Sequence, residues 1–552
     1  MATQGFHRWL TFLDWPRLTP QLARNEAMAA LTVALVMIPQ SVAYASLAGM
    51  PLIAGLYASF LPPLISVLFS ASTRLSVGPS ALSSVLVGAS IAGLAAPASG
   101  EWVMLAVWLA LIAGGVQLAL GALQGAWVLN LVSSPILAGF SQAAALLIIA
   151  SQLPALLGLQ GSLHTLIDHP QYDVTAAAFG IASVALFVAG KRFAPRVPMV
   201  LLVLLSSAAL SYWSGWSAPG RVIGELPSGF PSFYWPHLPT WDTLHSILVP
   251  ALVLALVSSL EMAASAKIES QRDGKRWDAA QDLVGQGMGK LASAFSGSFS
   301  TSTSFSRSAI TLYSGAKTGW ATVFATAFVA LVLLFFTPVL HHVPRAVLAA
   351  VVVAAVLGLV KPRALLRIAR IDRIEAAIAL VTFAVTLASS PRIYWGVLTG
   401  VILGLAHFLY MRLHPRIIEV GLHPDGSLRD RHLWQLEPLG SDLYALRMDG
   451  ELDFASSTSF EEALVDHIAA HPRTKHVVLF AQPVNRIDAT GVETFMQLRE
   501  MLEERGITLH ISGIKLPVER VLHKGGALEP SAHLRMYRTD AEALEALRQM
   551  AR

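Results

Sequence analysis

Between Ala27 and Met411 the chain passes through one apolar stretch after another, and the breaks between them are mostly glycine, proline and short polar turns. A bilayer crossing needs about 20 apolar residues, and counting the runs gives about fourteen crossings. Composition agrees, since 54% hydrophobic residues, 13% charged residues and a mean hydropathy of +0.57 lie far from an ordinary soluble domain. The region reads as one polytopic helical domain with no repeat visible at the level of residue identity. The chain contains no Cys, which excludes disulfides and thiol chemistry.

Arg8, Arg17 and Arg24 precede the first apolar run. No small-residue cleavage site follows at signal-peptide distance, so the first helix is expected to be retained. Further basic clusters stand at Lys191, Arg192 and Arg196, at Lys267 to Arg276, at Lys361 to Arg373, and at Arg412 and Arg416. Counted alternately, all fall on one face of the membrane, which the positive-inside rule assigns to the cytoplasm. The loop rich in Pro and Trp between Trp213 and His245 has Arg221 as its single Lys or Arg and suits the outer side. The expected address is a bacterial inner membrane, crossed many times, with both termini cytoplasmic.

Beyond Arg416 the texture changes to frequent charges and short apolar runs. Leu443 to Asp449, His476 to Ala481 and Thr508 to Ile514 have strand character, while Ser456 to Ala470, Gly491 to Arg505 and Asp540 to Met550 have helical periodicity. Alternation at this spacing predicts a small α/β domain with a mainly parallel sheet. The expected organisation is an amino-terminal segment 1–25, a transmembrane domain 26–412, a linker 413–435 and a cytoplasmic domain 436–552.

Two places in the membrane region keep polar groups at a cost. Ser300 to Ala309 places a row of hydroxyls and Arg307 inside membrane-like sequence, and an arginine in a lipid-facing helix costs several kcal/mol. An anion is the expected reason. Glu261 closes the apolar run that begins at Ala251, with no Lys or Arg in the preceding turn. Such a carboxyl can gain and lose a proton as its cavity fills and empties, with a fixed pair to Arg307 as the competing structural role. Ser265 lies one turn from it. By contrast His341 and His342 lack further ligands at metal-binding spacing, the Trp residues fit an interfacial belt, and no nucleophile elbow, zincin helix or phosphate loop is found. An enzyme is not expected, nor a nucleic-acid partner.

Six segments together carry a resemblance. Ile38 to Ala45, Gly55 to Ser59, Ser72 to Pro79, Gln281 to Gly287 and Ser304 to Ser308, followed by Asn485 to Gly491, resemble the SulP family of sulfate-permease-type anion transporters with a C-terminal STAS domain, in family order from Ala27 to the end of the chain. Thr73 and Thr303–Ser304 depart from the more usual Ser and Gly-bearing sequences. The resemblance implies a seven-plus-seven inverted repeat of the uracil-permease type, in which the third and tenth helices start near mid-membrane and aim their amino ends at one site. Such ends offer free N–H groups and partial positive charge to an anion. Pro79 is expected in the first turn of one half-helix, and Thr303–Ser304 are expected to cap the other.

By that resemblance the substrate-binding residues are Gln40, Tyr44, Ser80, Ala81, Ser304, Phe305, Ser306 and Arg307. Gln40 and Tyr44 share a helix face and otherwise would serve an interhelical bond. Glu261 and Ser265 would couple transport to a cation, a proton with sodium as the alternative, and no other cofactor is implied. In the STAS loop Asp488, Thr490 and Gly491 are the regulatory candidates; Asp488 or Thr490 caps a helix, and related domains phosphorylate the Thr490 position. A homodimer and a cytoplasmic partner of the STAS domain are implied. The expected function is secondary active transport of a small oxyanion, sulfate, coupled to protons through an elevator-type motion. Bicarbonate, chloride or a dicarboxylate, an uncoupled channel or exchanger, and a STAS-based signalling scaffold are the alternatives.

Overall fold

The computed structural model describes residues 9–159, 173–194, 197–216 and 220–550; Arg8 and Arg196, used above for orientation, lie outside them. The chain divides into two compact units, residues 1–404 and 405–552.

The first unit is helical. Helix α1 (Pro20–Leu47) is started by Thr19, whose hydroxyl accepts from the Leu22 N–H, and by Pro20 in the first turn, so the first helix takes in part of the expected segment 1–25. Short helices α2 (Ile53–Ala58) and α3 (Leu61–Phe69) lead to a two-residue strand β1 (Val77–Gly78) and to α4 (Ala81–Ile91). Then come α5 (Gly100–Ala122), α6 (Ser134–Leu156), α7 (Val174–Phe193), α8 (Met199–Trp213), α9 (Trp241–Asp273) and α10 (Ala279–Phe295). Strand β2 (Ser302–Thr303) precedes α11 (Phe305–Tyr313), followed by α12 (Trp320–Leu331), α13 (Arg345–Val356), α14 (Pro362–Ile371), α15 (Arg373–Ala388) and α16 (Tyr394–Leu413). Among the described residues eight helices are long and apolar enough to cross a membrane. Shorter apolar stretches lie at Ile53–Phe69, Ala81–Ile91 and Met199–Trp213.

Packing sorts these helices into two bundles. Helix α10 lies along α5 and α3, while α6 packs on α13 and α15. Small residues permit the closest approach: a methyl group on Gly285 would meet Ser70 Oγ at 2.1 Å, and one on Gly114 would meet Lys290 Cβ at 2.8 Å. Lipid offers no hydrophobic drive for helices to associate, so such close backbone contact carries much of the adhesion. The seam where α1 meets α13 is apolar, with Ala34, Met37, Val347 and Val351 in one cluster.

The second unit is a six-stranded sheet with helices. Its strands are β3 (Arg416–Leu422), β4 (Leu428–Asp430), β5 (Leu443–Asp449), β6 (His476–Phe480), β7 (Thr508–Ser512) and β8 (Leu534–Tyr537), in the order β4-β3-β5-β6-β7-β8. Strands β5 to β8 pair in parallel, as expected, but β3 and β4 are antiparallel. The stretch 413–435 is therefore no linker: it supplies the first two strands of the sheet. Besides a short turn of helix at Arg431–Trp434, the helices are α17 (Ser457–Ala470), α18 (Ala489–Glu504), α19 (Leu516–Lys524) and α20 (Asp540–Met550), and aliphatic side chains such as Leu446, Leu464, Leu479 and Ile511 lie in the core.

Candidate functional site

Helices α4 and α11 have 11 and 9 residues. At 1.5 Å per residue they reach only about 16 and 14 Å, roughly half of a hydrocarbon core about 30 Å thick. Each follows a two-residue strand, and the two strands pair antiparallel, Val77 with Thr303 and Gly78 with Ser302. The pairing brings the amino ends of the half-helices together. Ser80 caps α4, accepting from Ser83 N, and Ser304 caps α11, accepting from Arg307 N. Pro79 lies before the cap rather than in the first turn, and Thr303 belongs to β2, where its hydroxyl accepts from Gln286 Nε2 at 2.7 Å. Ser304 alone caps.

The approach to β1 is pinned by charge. Arg74, 7% exposed, pairs with Glu269 at 3.0 Å and with Asp273, both on α9. Ser72 donates its N–H and hydroxyl to Asp282 of α10 at 2.8 and 2.6 Å, and Trp277 Nε1 donates to the same carboxylate. Without these anchors a polar loop inside the bundle would have no fixed path.

Arg307 is fully buried. Its Nε donates to Ser76 Oγ at 3.2 Å and Nη1 to Gln40 Oε1 at 3.4 Å, while Nη2 has no hydrogen-bond partner among the described residues. No ion pair to Glu261 forms among them. Gly78 makes room for this guanidinium: its φ is +148°, and a methyl group there would lie 3.2 Å from Nη2. Gln40 and Tyr44 are buried nearby on α1, Ala81 is half-buried, and Phe305 and Ser306 at the start of α11 are exposed.

Glu261 sits where the half-helices meet. Its carboxylate accepts from Ser302 Oγ at 2.5 Å, Ser80 Oγ at 3.0 Å and Ser83 Oγ at 3.4 Å. Ser265 is less directly involved, because its hydroxyl donates to the Glu261 backbone carbonyl at 3.0 Å. The structure thus gathers Gln40, Ser80, Ser304 and Arg307 with Glu261, and adds Ser76, Ser83, Ser302 and Gln286, which local sequence did not single out. Chemically it offers an anion two sets of free N–H groups, hydroxyls and a fixed cation, next to a carboxyl able to take a proton.

In the second unit Asp488 caps α18, accepting from Gly491 N at 2.9 Å and Phe454 N at 3.1 Å. Gly491 is required by close approach, since a methyl group would come within 2.2 Å of the Leu452 carbonyl. Thr490 stands exposed in the first turn.

Comparisons with known proteins agree with this architecture. The sulfate permease family model matches residues 24–382 and the STAS domain model residues 439–543. Sulfate transporter 4.1, chloroplastic, of Arabidopsis thaliana is 28% identical over 95% of this chain and 79% of its own length. A probable sulfate transporter of Mycobacterium tuberculosis is 29% identical over 95% of each chain. The murine Solute Carrier 26 family member A9 anion transporter, solved in the inward-facing state, superposes with a TM-score of 0.87 at 20% identity, covering 100% of this chain and 95% of that one. The transmembrane domain of a cyanobacterium bicarbonate transporter gives 0.60 at 20% identity over 70% of this chain and 98% of that one. At these identities the structural likeness speaks to the fold.

Proposed function

The chain belongs to the sulfate permease family, a family of multi-pass membrane transporters, and from that premise we propose that it carries sulfate together with protons. The observation that carries this reading is the pairing of β1 with β2, which sets two half-helix amino ends, Arg307 and Glu261 around one place. A tetrahedral oxyanion has acceptors on every side, and N–H groups, serine hydroxyls and a guanidinium are the donors that match it. Relatives named as sulfate transporters support sulfate over bicarbonate, chloride or a dicarboxylate.

Protonation of Glu261 is the coupling step. An ionised Glu261 beside the half-helix ends repels the incoming anion; a protonated one donates to it or to the serines instead. Glutamate with hydroxyl neighbours favours a proton over sodium, and no further cofactor is needed. Movement is elevator-like: the bundle of α1 to α5 and α9 to α12 slides past the bundle of α6 to α8, α13, α15 and α16, along a seam whose apolar side chains hold no fixed polar register. The chain works as a homodimer in a bacterial inner membrane with both termini cytoplasmic, and the STAS domain meets a cytoplasmic partner through the loop of Asp488, Thr490 and Gly491.

Radiolabelled sulfate uptake by the purified protein in liposomes tests the reading, with bicarbonate, chloride and succinate as competitors and an inward proton gradient as drive. The proposal expects sulfate to be the strongest competitor and the gradient to accelerate uptake. Displacement by bicarbonate or chloride alone, or indifference to the gradient, contradicts it.

A further inference from the structure

Lys290 lies on α10 with its side chain fully buried, and its Nζ makes no hydrogen bond among the described residues. It projects toward α5, where Gly114 leaves space beside its Cβ. Glu261 on α9 is an opposite charge that acts on it. One turn back on the same helix, Gln286 donates to Thr303, and the adjacent Ser302 donates to Glu261. The amide oxygens of Gln117 and Gln286 and the Ser300 hydroxyl are likewise buried without partners among the described residues.

The charge balance of the core then matters. A dianion adds two negative charges to a body that must cross a low-dielectric barrier, where each uncompensated charge is costly. Arg307 cannot titrate, so it is equally positive in the loaded and empty core. Glu261 on α9 offsets one charge by taking a proton. The other buried charged groups described in this bundle are tied elsewhere: Arg74 with Glu269 and Asp273, Asp282 with Ser72 and Trp277, and Glu26 with the N–H groups of Lys317 and Thr318. We propose that Lys290 is the second proton carrier, so that each dianion travels with two protons, one on Glu261 and one on Lys290, and both leave with it on the other side. The empty core returns with Lys290 neutral and Glu261 ionised, carrying two fewer positive charges. Transport is then electroneutral. This inference rests on the proton-coupled reading above.

The test is the proton-to-sulfate ratio of the full-length protein in liposomes, measured with sulfate alone as substrate and with the membrane potential clamped by potassium and valinomycin. Wild type is expected to take up two protons per sulfate and to reach the same accumulation at any potential, about 100-fold per unit of pH gradient. Lys290→Met is expected to fall to one proton, about 10-fold accumulation, and to become opposed by an inside-negative potential. Lys290→Gln serves where the Met variant does not fold. A wild-type ratio of one, or a transporting Lys290 variant that keeps two protons and stays indifferent to potential, overturns the role of Lys290 alone. A wild type that moves sulfate without protons overturns the coupled reading itself and this inference with it.

Discussion

The membrane unit and the STAS unit use buried polarity in opposite ways. In the STAS unit the interior is mainly apolar, His510 being a buried exception, and ion pairs such as Arg416–Asp430 and Lys475–Asp442 involve well-exposed basic side chains. In the membrane unit Glu26, Asp282, Lys290 and Arg307 are all fully buried, and hydroxyls, backbone N–H groups or opposite charges surround most of them. A charge exposed to lipid has nowhere to be solvated, so these groups turn inward and are compensated locally. Paid for by those contacts, the charges persist inside the bundle. The contrast therefore concentrates the buried charges, and with them the candidate site, in the first unit.

The sharpest break in that contrast comes from Arg74→Ala. It leaves Glu269 buried without its cation, which costs about 3 to 5 kcal/mol, and frees the approach to β1. The purified variant should melt well below wild type in detergent; an unchanged melting curve would show that the pair is dispensable.

Next in size is a pH effect confined to the STAS unit. His510 is fully buried, with His476 Nδ1 at 3.2 Å and Tyr537 Oη at 3.1 Å. Burial first, then the neighbouring His476 and Arg535, push its pKa down to about 4. The unfolded chain binds this proton near pH 6.5 and the folded domain does not until about 4, so stability is full above 6.5 and is lost as pH falls through that window, by roughly 3 kcal/mol. Hydrogen exchange of β7 in the full chain should accelerate between pH 6.5 and 4, and His510→Gln should flatten that dependence. Equal acceleration in the variant would assign it elsewhere.

At the site, Arg307→Ala should weaken sulfate binding about 10- to 100-fold, because charge-assisted bonds contribute about 1.5 to 3 kcal/mol, whereas Ser306→Ala should cost about 1 kcal/mol. Calorimetric titration separates them; wild-type affinity in both removes the site from this place. Smallest is Asp488→Ala, which deletes one cap of α18 and should lower STAS stability by about 1 kcal/mol while leaving the order of competing anions unchanged. A changed order would mean that the two units share the pocket.

Local pattern made much of this legible. Strand β5 and helix α20 have the predicted bounds, and β6, β7, α17 and α18 lie within two residues of them, because apolar periodicity and caps are local signals. Strands β3 and β4 escaped notice because they follow the last apolar helix, and antiparallel pairing with β5 is a long-range event that no window displays. At the site, Arg307 and Glu261 stood out as charges in apolar sequence. Ser76 and Ser302 did not, since a serine acquires its role from partners more than 200 residues away in one case and 41 away in the other. Lys290 carried the same signal as Glu261, one charge within apolar and small residues, and could have been found by the same argument.

The account stands most directly on Glu261→Gln in liposomes. Glutamine keeps the shape and hydrogen bonding of a protonated carboxyl and cannot ionise, so the variant should bind sulfate and exchange it for sulfate while gaining nothing from an inward proton gradient that accelerates wild type. A folded Glu261→Gln protein whose uptake still follows the gradient as wild type does would contradict the coupling role of Glu261.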